Sequence, residues 1–272
     1  MTGASDPSSL FMRSFNFGEL VFHSTVREVR VESGGAALGL VMAVLRILLL
    51  VAVFYAMYAM LGIRGSMIRG DVILFLVGGI LLFFLHNQVV AKTLRAGDVT
   101  GPLMSHAPMT TMVAILGSAF ATLYLHILAI GIIFLGMFVS LGTLEIDQPA
   151  GMILPILLAW ASGVVIGLLF LMLKPFAPKA VMLVATLYMR ANMITSGKFF
   201  VANMIPLSVM PFFDWNPLFH CIDQIRGAMF VNYFPHNTSI EYAAGFVFVG
   251  LVLGMMGEFW LRRTVSYSTG NR

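Results

Sequence analysis

Apolar residues run along this chain in long blocks separated by short polar intervals. Blocks near residues 36–62, 71–91, 111–140, 152–173, 179–197 and 242–261 each approach or exceed the roughly 20 residues that carry an α-helix across a bilayer core. The pattern therefore predicts six transmembrane helices. The fifth is the weakest, because Arg190 and Asn192 interrupt it. Ahead of the first block, Leu10, Phe11, Phe15, Phe17, Leu20, Val21, Phe22, Val26, Val29 and Val31 interleave with Arg13, Glu19, His23, Arg27, Glu28, Arg30 and Glu32. That mixture suits an amphipathic helix lying in the membrane interface, or one that merely caps the bundle. Residues 1–9 are polar and small, as in a disordered tail, and no apolar secretory core follows Met1. The expected organisation is a cytoplasmic tail and interfacial helix over 1–35, one transmembrane domain over 36–265, and a short tail over 266–272.

Composition narrows this to an all-α integral membrane protein. The chain is 59% hydrophobic and 10% charged, with mean hydropathy +0.93, where a soluble domain carries roughly 25% charged residues. Six spans use up the 272 residues, leaving no room for a soluble domain of the usual ~100 residues or more. A fused nucleotide-binding or catalytic domain is not expected. The single cysteine, Cys221, makes neither an intrachain disulfide nor a zinc site. The net charge of +4 calls for no nucleic-acid partner, since basic residues of membrane proteins gather in cytoplasmic loops. With both termini inside, Arg13, Arg27, Arg30, Lys92, Arg95, Lys174, Lys179, Arg262, Arg263 and Arg272 are cytoplasmic, and Arg64, Arg69, Lys198 and Arg226 are outside. Ten against four favours that orientation.

Candidate chemistry inside the spans is sparse. Arg46, His86, His126, Arg190 and Glu258 share no local motif, and neither histidine has the spacing that puts metal ligands on one helical face. No catalytic set and no metal site is expected. Glu258 stands four residues before Arg262, where an i,i+4 ion pair explains it better than ion coupling. Gly197-Lys198 is a near miss of a phosphate-binding P-loop: Asn192 occupies the first glycine position and Phe199 the Ser/Thr position. This chain is expected to bind no cofactor; if ATP and Mg drive it, they sit on another subunit.

Two polar connections stand out. Residues 91–109 form the longest cytoplasmic loop of the expected topology, in which Lys92, Leu94, Arg95 and Asp98 can make a short amphipathic helix ended by Gly101-Pro102. It is the candidate docking loop for such a subunit, or else a simple turn at the headgroups. Further on, Asn216 can cap a helix whose first position is Pro217. His220, Asp223 and Arg226 then follow one another along one side, while Phe219, Ile222, Ile225 and Met229 face lipid or protein. A half-buried helix of this kind before the last span is either an outer re-entrant gate or an interfacial anchor, with Trp215 in the aromatic belt.

The run Trp215-Asn216-Pro217-Leu218-x-His220-x-x-Asp223-x-x-Arg226-x-Ala228 resembles the Trp-Asn-Pro-Leu-x-His-x-x-Glu-x-x-Arg-x-Ala signature of ABC-2-type permeases, specifically the membrane subunit of capsular polysaccharide and O-antigen exporters. Ser239-Ile240-x-Tyr242 follows at similar spacing, and Arg190, Ser196, Gly197, Phe199, Phe200 and Pro206 match a second family pattern. Leu38-Gly39, Ala43 and Leu45 resemble the start of its first span. The resemblance covers about residues 20–265 and is most specific in the last third. It implies a permease in the bacterial inner membrane that pairs with a second copy of itself and with separate ABC ATPase subunits, contacted by the interfacial helix and the 91–109 loop. It further implies a channel for a polysaccharide or lipid-linked glycan among membrane lipid, an outer gate formed by residues around 199–230, and hand-over to periplasmic export components. Departures occur: the family has Trp at Met42, Glu-Pro at Arg46-Ile47, Glu at Asp223 and Pro at Ala191.

Arg46 carries the largest cost, since an arginine at a helix centre is worth about 2.5–3.5 kcal/mol against insertion. It either lines a hydrated channel and meets anionic groups, or snorkels and bonds to carbonyls. The same choice holds for Arg190, with Ser196 and Gly197 as further channel candidates. Two other classes of function stay open: an exporter of a lipid or drug-like molecule, and a membrane scaffold that transports nothing.

Overall fold

The computed structural model describes residues 7–31, 36–60, 71–103, 111–142 and 145–269, and the side chains of 7–11, 13–14, 36, 97–103, 141 and 258–269 are not described. Arg64 and Arg69, and the side chains of Arg13, Asp98, Glu258, Arg262 and Arg263, therefore lie outside the described residues. The described residues form helices and no strand. In chain order they are α1 (Pro7–Val31), α2 (Ala36–Met60), α3 (Val72–Leu103), α4 (Thr111–Leu141), α5 (Ile153–Leu173), α6 (Pro178–Thr195), α7 (Pro217–Met229) and α8 (Ile240–Thr269). Single 3₁₀ turns precede α5 and punctuate the stretch between α6 and α7.

Five of these helices are long and apolar enough to cross a membrane: Ala37–Met60, Val72–Ala96, Thr111–Ser140, Pro149–Leu173 and Ile240–Gly257. The sixth expected span corresponds to α6, which falls outside that set. It has 18 residues and carries Lys179, Arg190 and Asn192. Two boundaries also differ from expectation. The stretch taken as the start of the 91–109 loop continues α3 without a break as far as Leu103, and α8 runs through the expected tail to Thr269.

The central helix is α3, buried along almost its whole apolar length from Leu74 to Leu94. α2, α4, α5 and α7 pack around it, while α8 packs on the far side of α5. Glycine sets the spacing on both faces of α5. A Cβ on Gly163 would stand 2.9 Å from the His86 carbonyl oxygen of α3, and one on Gly167 2.9 Å from that of Val90. On the opposite face Val165 and Leu168 fill the space over Gly250 and Gly254 of α8. Both small-xxx-small spacings are thus close-approach faces. α1 lies against α4, where Gly117 makes room for the buried Ser24.

Polar side chains tie the bundle internally. The buried His86 ring contacts the Ala159 carbonyl at 3.0 Å and Ser162 Oγ at 3.1 Å through Nδ1, and Tyr188 Oη at 2.9 Å through Nε2. It is a packing histidine that joins α3, α5 and α6. Asn192 of α6 donates to Asn87 of α3 at 3.0 Å. Lower on the same pair, Leu94 clusters with Val181 and Ala185. α6 therefore runs antiparallel to α3. The turn that ends it lies against Gly79, whose Cβ position is 2.8 Å from the Lys198 carbonyl oxygen. Gly79 is seven residues inside the start of α3, roughly 10 Å at 1.5 Å per residue. The chain reverses there instead of continuing to the end of the bundle.

Candidate functional site

The reversal after α6 creates the most heavily hydrogen-bonded part of the structure. α7 begins where local chemistry dictates: Asn216 is extended, its Oδ1 accepts from the Leu218 N–H at 3.0 Å, and Pro217 occupies the first helical position. The same Asn216 amide donates to Asn192 at 2.8 Å and Thr195 at 3.0 Å, fastening the start of α7 to the end of α6. α7 is buried on nearly every side, including His220, Asp223 and Arg226. The expectation of a half-buried helix is corrected here: α3 and α5 enclose one side, and the flanking segments cover the other.

The three polar residues of α7 stand in sequence register but share no hydrogen bond with one another. Arg226 donates from Nη1 to the carbonyls of Gly197 (2.9 Å) and Phe200 (2.6 Å), and from Nη2 to that of Lys198 (2.6 Å). Its guanidinium lies 3.9 Å from the Phe75 ring centroid of α3. The planar fork thereby organises a turn whose Gly197 has φ +70°, a left-handed value that glycine adopts without strain. A Cβ there would also strike the Phe219 ring at 2.6 Å. Asp223 instead accepts from Tyr233 Oη at 2.5 Å and Thr238 Oγ1 at 2.7 Å, pinning the segment that leads to α8.

His220 bridges in the third direction. Its Nε2–H donates to the Asp214 carbonyl at 2.7 Å, and its Nδ1 accepts from the Ser239 N–H at 3.0 Å. Two backbone partners of opposite type fix the neutral Nε2–H tautomer. Burial lowers its pKa, offset in part by the Asp214 carbonyl bond and the Asp214 and Asp223 charges. Trp215 is partly exposed, donates to the Phe212 carbonyl, and accepts the Tyr242 hydroxyl on its own carbonyl.

Lys198, expected from the charge distribution on the outer side and part of the P-loop near miss, is fully buried. Its Nζ donates to the Met193 carbonyl at 2.9 Å and sits 3.4 Å and 4.5 Å from the Phe83 and Phe199 ring centroids. Phe199 in turn stacks on Phe54, and its carbonyl accepts the Tyr58 hydroxyl, so the C-terminal half of α2 joins the same turn. Lys198 lies outside the five candidate spans, and burial lowers its pKa from 10.5 to about 7. The folded protein therefore holds fewer protons at this site than the unfolded chain between about pH 7 and 10.5, so this lysine's contribution to stability rises with pH across that window. Lys198→Met is expected to raise the melting temperature at pH 7 and to flatten the rise from pH 7 to 10, measured by thermal unfolding in detergent. A mutant less stable than wild type at both pH values would show that the cation–π contacts outweigh desolvation.

The other predicted residues are dispersed. Ser196 is buried beside Gly197, and its hydroxyl finds no partner among the described residues. Arg190 is on the exposed face of α6, whereas Arg46 is on α2 beside Phe84 of α3, so the two are not brought together. Of the docking-loop residues, Leu94 is buried against α6, Lys92 is half-buried and Arg95 is exposed. Among the partners of the α7 side chains, Phe75 and Tyr233 carry no signal in the sequence pattern. The motif matches at Gly197, Phe200 and Ser239-Ile240-x-Tyr242 point to the neighbourhood without saying what meets what.

The fold and this hairpin define a multi-pass helical membrane protein with a hydrogen-bonded helical hairpin set before its last span. No family model matches the chain. Two curated Escherichia coli proteins, both described as polysialic acid transport protein KpsM, align with it over 239 residues at 23% and 22% identity, covering 85% of this chain and 88% of each relative. The resemblance to capsule-exporter permeases seen in the 215–228 motif thus extends over most of the chain.

Proposed function

We propose that this chain is the membrane permease subunit of an ATP-driven ABC exporter that moves a polysaccharide or lipid-linked glycan across the inner membrane. The observation that carries the reading is the similarity to the two polysialic acid transport proteins along 85% of the chain. In this reading α6 completes a set of six spans, both termini are cytoplasmic, and α7 with its flanking turns is a re-entrant element at the outer end. Two copies enclose the channel, with Arg46, Arg190, Ser196 and Gly197 as candidates for its wall. The ATPase, with its ATP and Mg, is a separate subunit docked near Lys92, Leu94, Arg95, Asp98 and Gly101, and periplasmic components receive the glycan.

The extensive burial of His220, Asp223 and Arg226 gives the outer element a definite mechanical character. Arg226 grips the 197–200 turn, His220 joins Asp214 to Ser239, and Asp223 holds Tyr233 and Thr238, so the hairpin moves as one body about its junctions with α6 and α8. Opening by that motion keeps buried polar groups paired, whereas unravelling α7 would not.

Affinity purification of the tagged chain from its native membranes should recover an ATPase polypeptide carrying a P-loop at equal stoichiometry, and deletion should remove a surface glycan. Recovery of the chain with no ATPase, together with an unchanged surface glycan, would overturn the reading.

A further inference from the structure

Arg46 does not stand alone in the bundle. It lines a cavity of about 40 Å³ whose wall also holds Gln88 of α3 and Thr122 and His126 of α4, with Gly39 and Ala43 of α2 leaving the space open. Three helices therefore deliver polar side chains to one point. Arg46 is ten residues beyond Ala36, roughly 15 Å along the helix axis. That places it near the middle of the Ala37–Met60 apolar stretch. Its guanidinium is exposed and has one described neighbour interaction, the face of Phe84 at 5.9 Å. No hydrogen bond to another described residue engages the Gln88 amide, which is half-buried.

The floor of the cavity is pre-set. His126 Nδ1 donates to the Thr122 carbonyl at 2.9 Å, since a carbonyl can only accept, and Thr122 Oγ1 donates to the Ser118 carbonyl at 2.8 Å. Both residues are buried, so their orientation is held. The space admits a water molecule or the tip of a small group, and excludes a sugar ring. A guanidinium at its mouth, with an amide donor beside it, presents N–H groups in the geometry that suits an oxyanion.

We propose that Arg46 and Gln88, over the Thr122–His126 floor, form an anion-binding subsite for a carboxylate or phosphoryl group carried by the transported molecule. This rests on the proposed function in one respect only, that the molecule reaching mid-bundle is the exported one. Carboxylates would come from an acidic glycan and phosphoryl oxygens from a lipid carrier. The subsite favours either over an uncharged glycan, because only an anion answers the Arg46 charge while giving the half-buried Gln88 amide an acceptor.

The test uses the full-length chain in nanodiscs of uncharged-on-balance phosphatidylcholine, so neither an ATPase nor export is needed. Failure of the pull-down would sink the functional reading while leaving this site to stand or fall alone. Three probes are titrated by thermophoresis: an oligosialic acid, a short-chain phosphatidic acid and a neutral dextran oligomer. Arg46→Gln should weaken binding of an anionic probe by about tenfold or more, Gln88→Leu by a smaller factor, and Arg46→Lys should restore part of the affinity. A loss confined to the oligosialic acid supports the site and assigns it to glycan carboxylate, and a loss confined to phosphatidic acid supports it and assigns it to lipid phosphate. Equal affinities in wild type and Arg46→Gln, or dextran binding as tight as the anions, would overturn the proposal. Arg46→Gln removes a charge from a span and so does not threaten insertion, and its elution profile on gel filtration checks this directly.

Discussion

Arg226→Ala is expected to cost roughly 3–5 kcal/mol, the range for stripping one partner from a buried charged hydrogen-bond set. Three carbonyls, those of Gly197, Lys198 and Phe200, lose their donor at once. The turn they belong to is sealed by Phe75, Phe83 and Phe219, so water does not readily replace the guanidinium. Asp223 keeps Tyr233 and Thr238 as donors but loses the positive charge one helical turn away. For a chain of this size each kcal/mol is worth about 2–4 °C, so a fall in melting temperature of roughly 10 °C or more should be seen in detergent. Arg226→Lys should recover only part of it, because a single ammonium cannot place donors on carbonyls on both sides of a planar fork. A melting temperature for Arg226→Ala within a degree or two of wild type would show that the 197–200 turn holds without this clamp.

That clamp also shows where sequence reasoning stops. The start of α7 was legible because a cap and an N1 proline act within three residues: Asn216 Oδ1 meets the N–H of Leu218, and both are visible in the string. The placement of His220, Asp223 and Arg226 along one side was equally legible, but not what each of them meets. Their actual partners lie 6 to 29 residues away, several are backbone carbonyls, and a carbonyl has no letter in the sequence. Asp223 and Arg226 are linked through space and charge instead of a shared hydrogen bond. The extent of α3 departs from expectation for a different reason. Gly101-Pro102 is expected from the sequence to end a short separate helix, but Gly97 and Gly101 each cost only about 1 kcal/mol in a helix. α3 runs through both glycines and stops one residue after the proline. For α6, Arg190 and Asn192 weakened the apolar signal, and the structure accounts for one of them: Asn192 is buried and paired with Asn87 and Asn216. A polar residue that looks like an interruption in sequence is here a joint between three elements. Overall helical class and the five strongest blocks needed no such long-range information, since length and apolarity alone set them.

Gly163→Leu should be as damaging as loss of the Arg226 clamp, by the opposite mechanism of crowding. The α3–α5 pair is the most extensive helix contact among the described residues, and Gly163, with Gly167, is where α5 lies against the backbone of α3. A Cβ alone would lie 2.9 Å from the His86 carbonyl oxygen and 3.2 Å from the Val89 Cβ. The oxygen belongs to the backbone of α3 and cannot swing aside, so α5 has to move as a whole. Overpacking of this kind costs about 1–3 kcal/mol. The shift also lengthens the His86 contacts to Ala159 and Ser162, which adds about 1–3 kcal/mol for an unsatisfied buried group. On its other face α5 would carry Val165 and Leu168 out of register with Gly250 and Gly254, loosening α8. Gly163→Ala should give a smaller loss of the same sign. Gly245→Ala provides the control, because nothing lies within 4 Å of a Cβ at that helical position. There alanine should be neutral or stabilising by up to ~1 kcal/mol. Melting temperature and the monodisperse fraction on gel filtration should therefore order as Gly245→Ala, wild type, Gly163→Ala, Gly163→Leu. If Gly163→Leu instead melts with wild type, α5 rides on α3 with more slack than these distances allow, and the glycine face is not what sets the helix spacing.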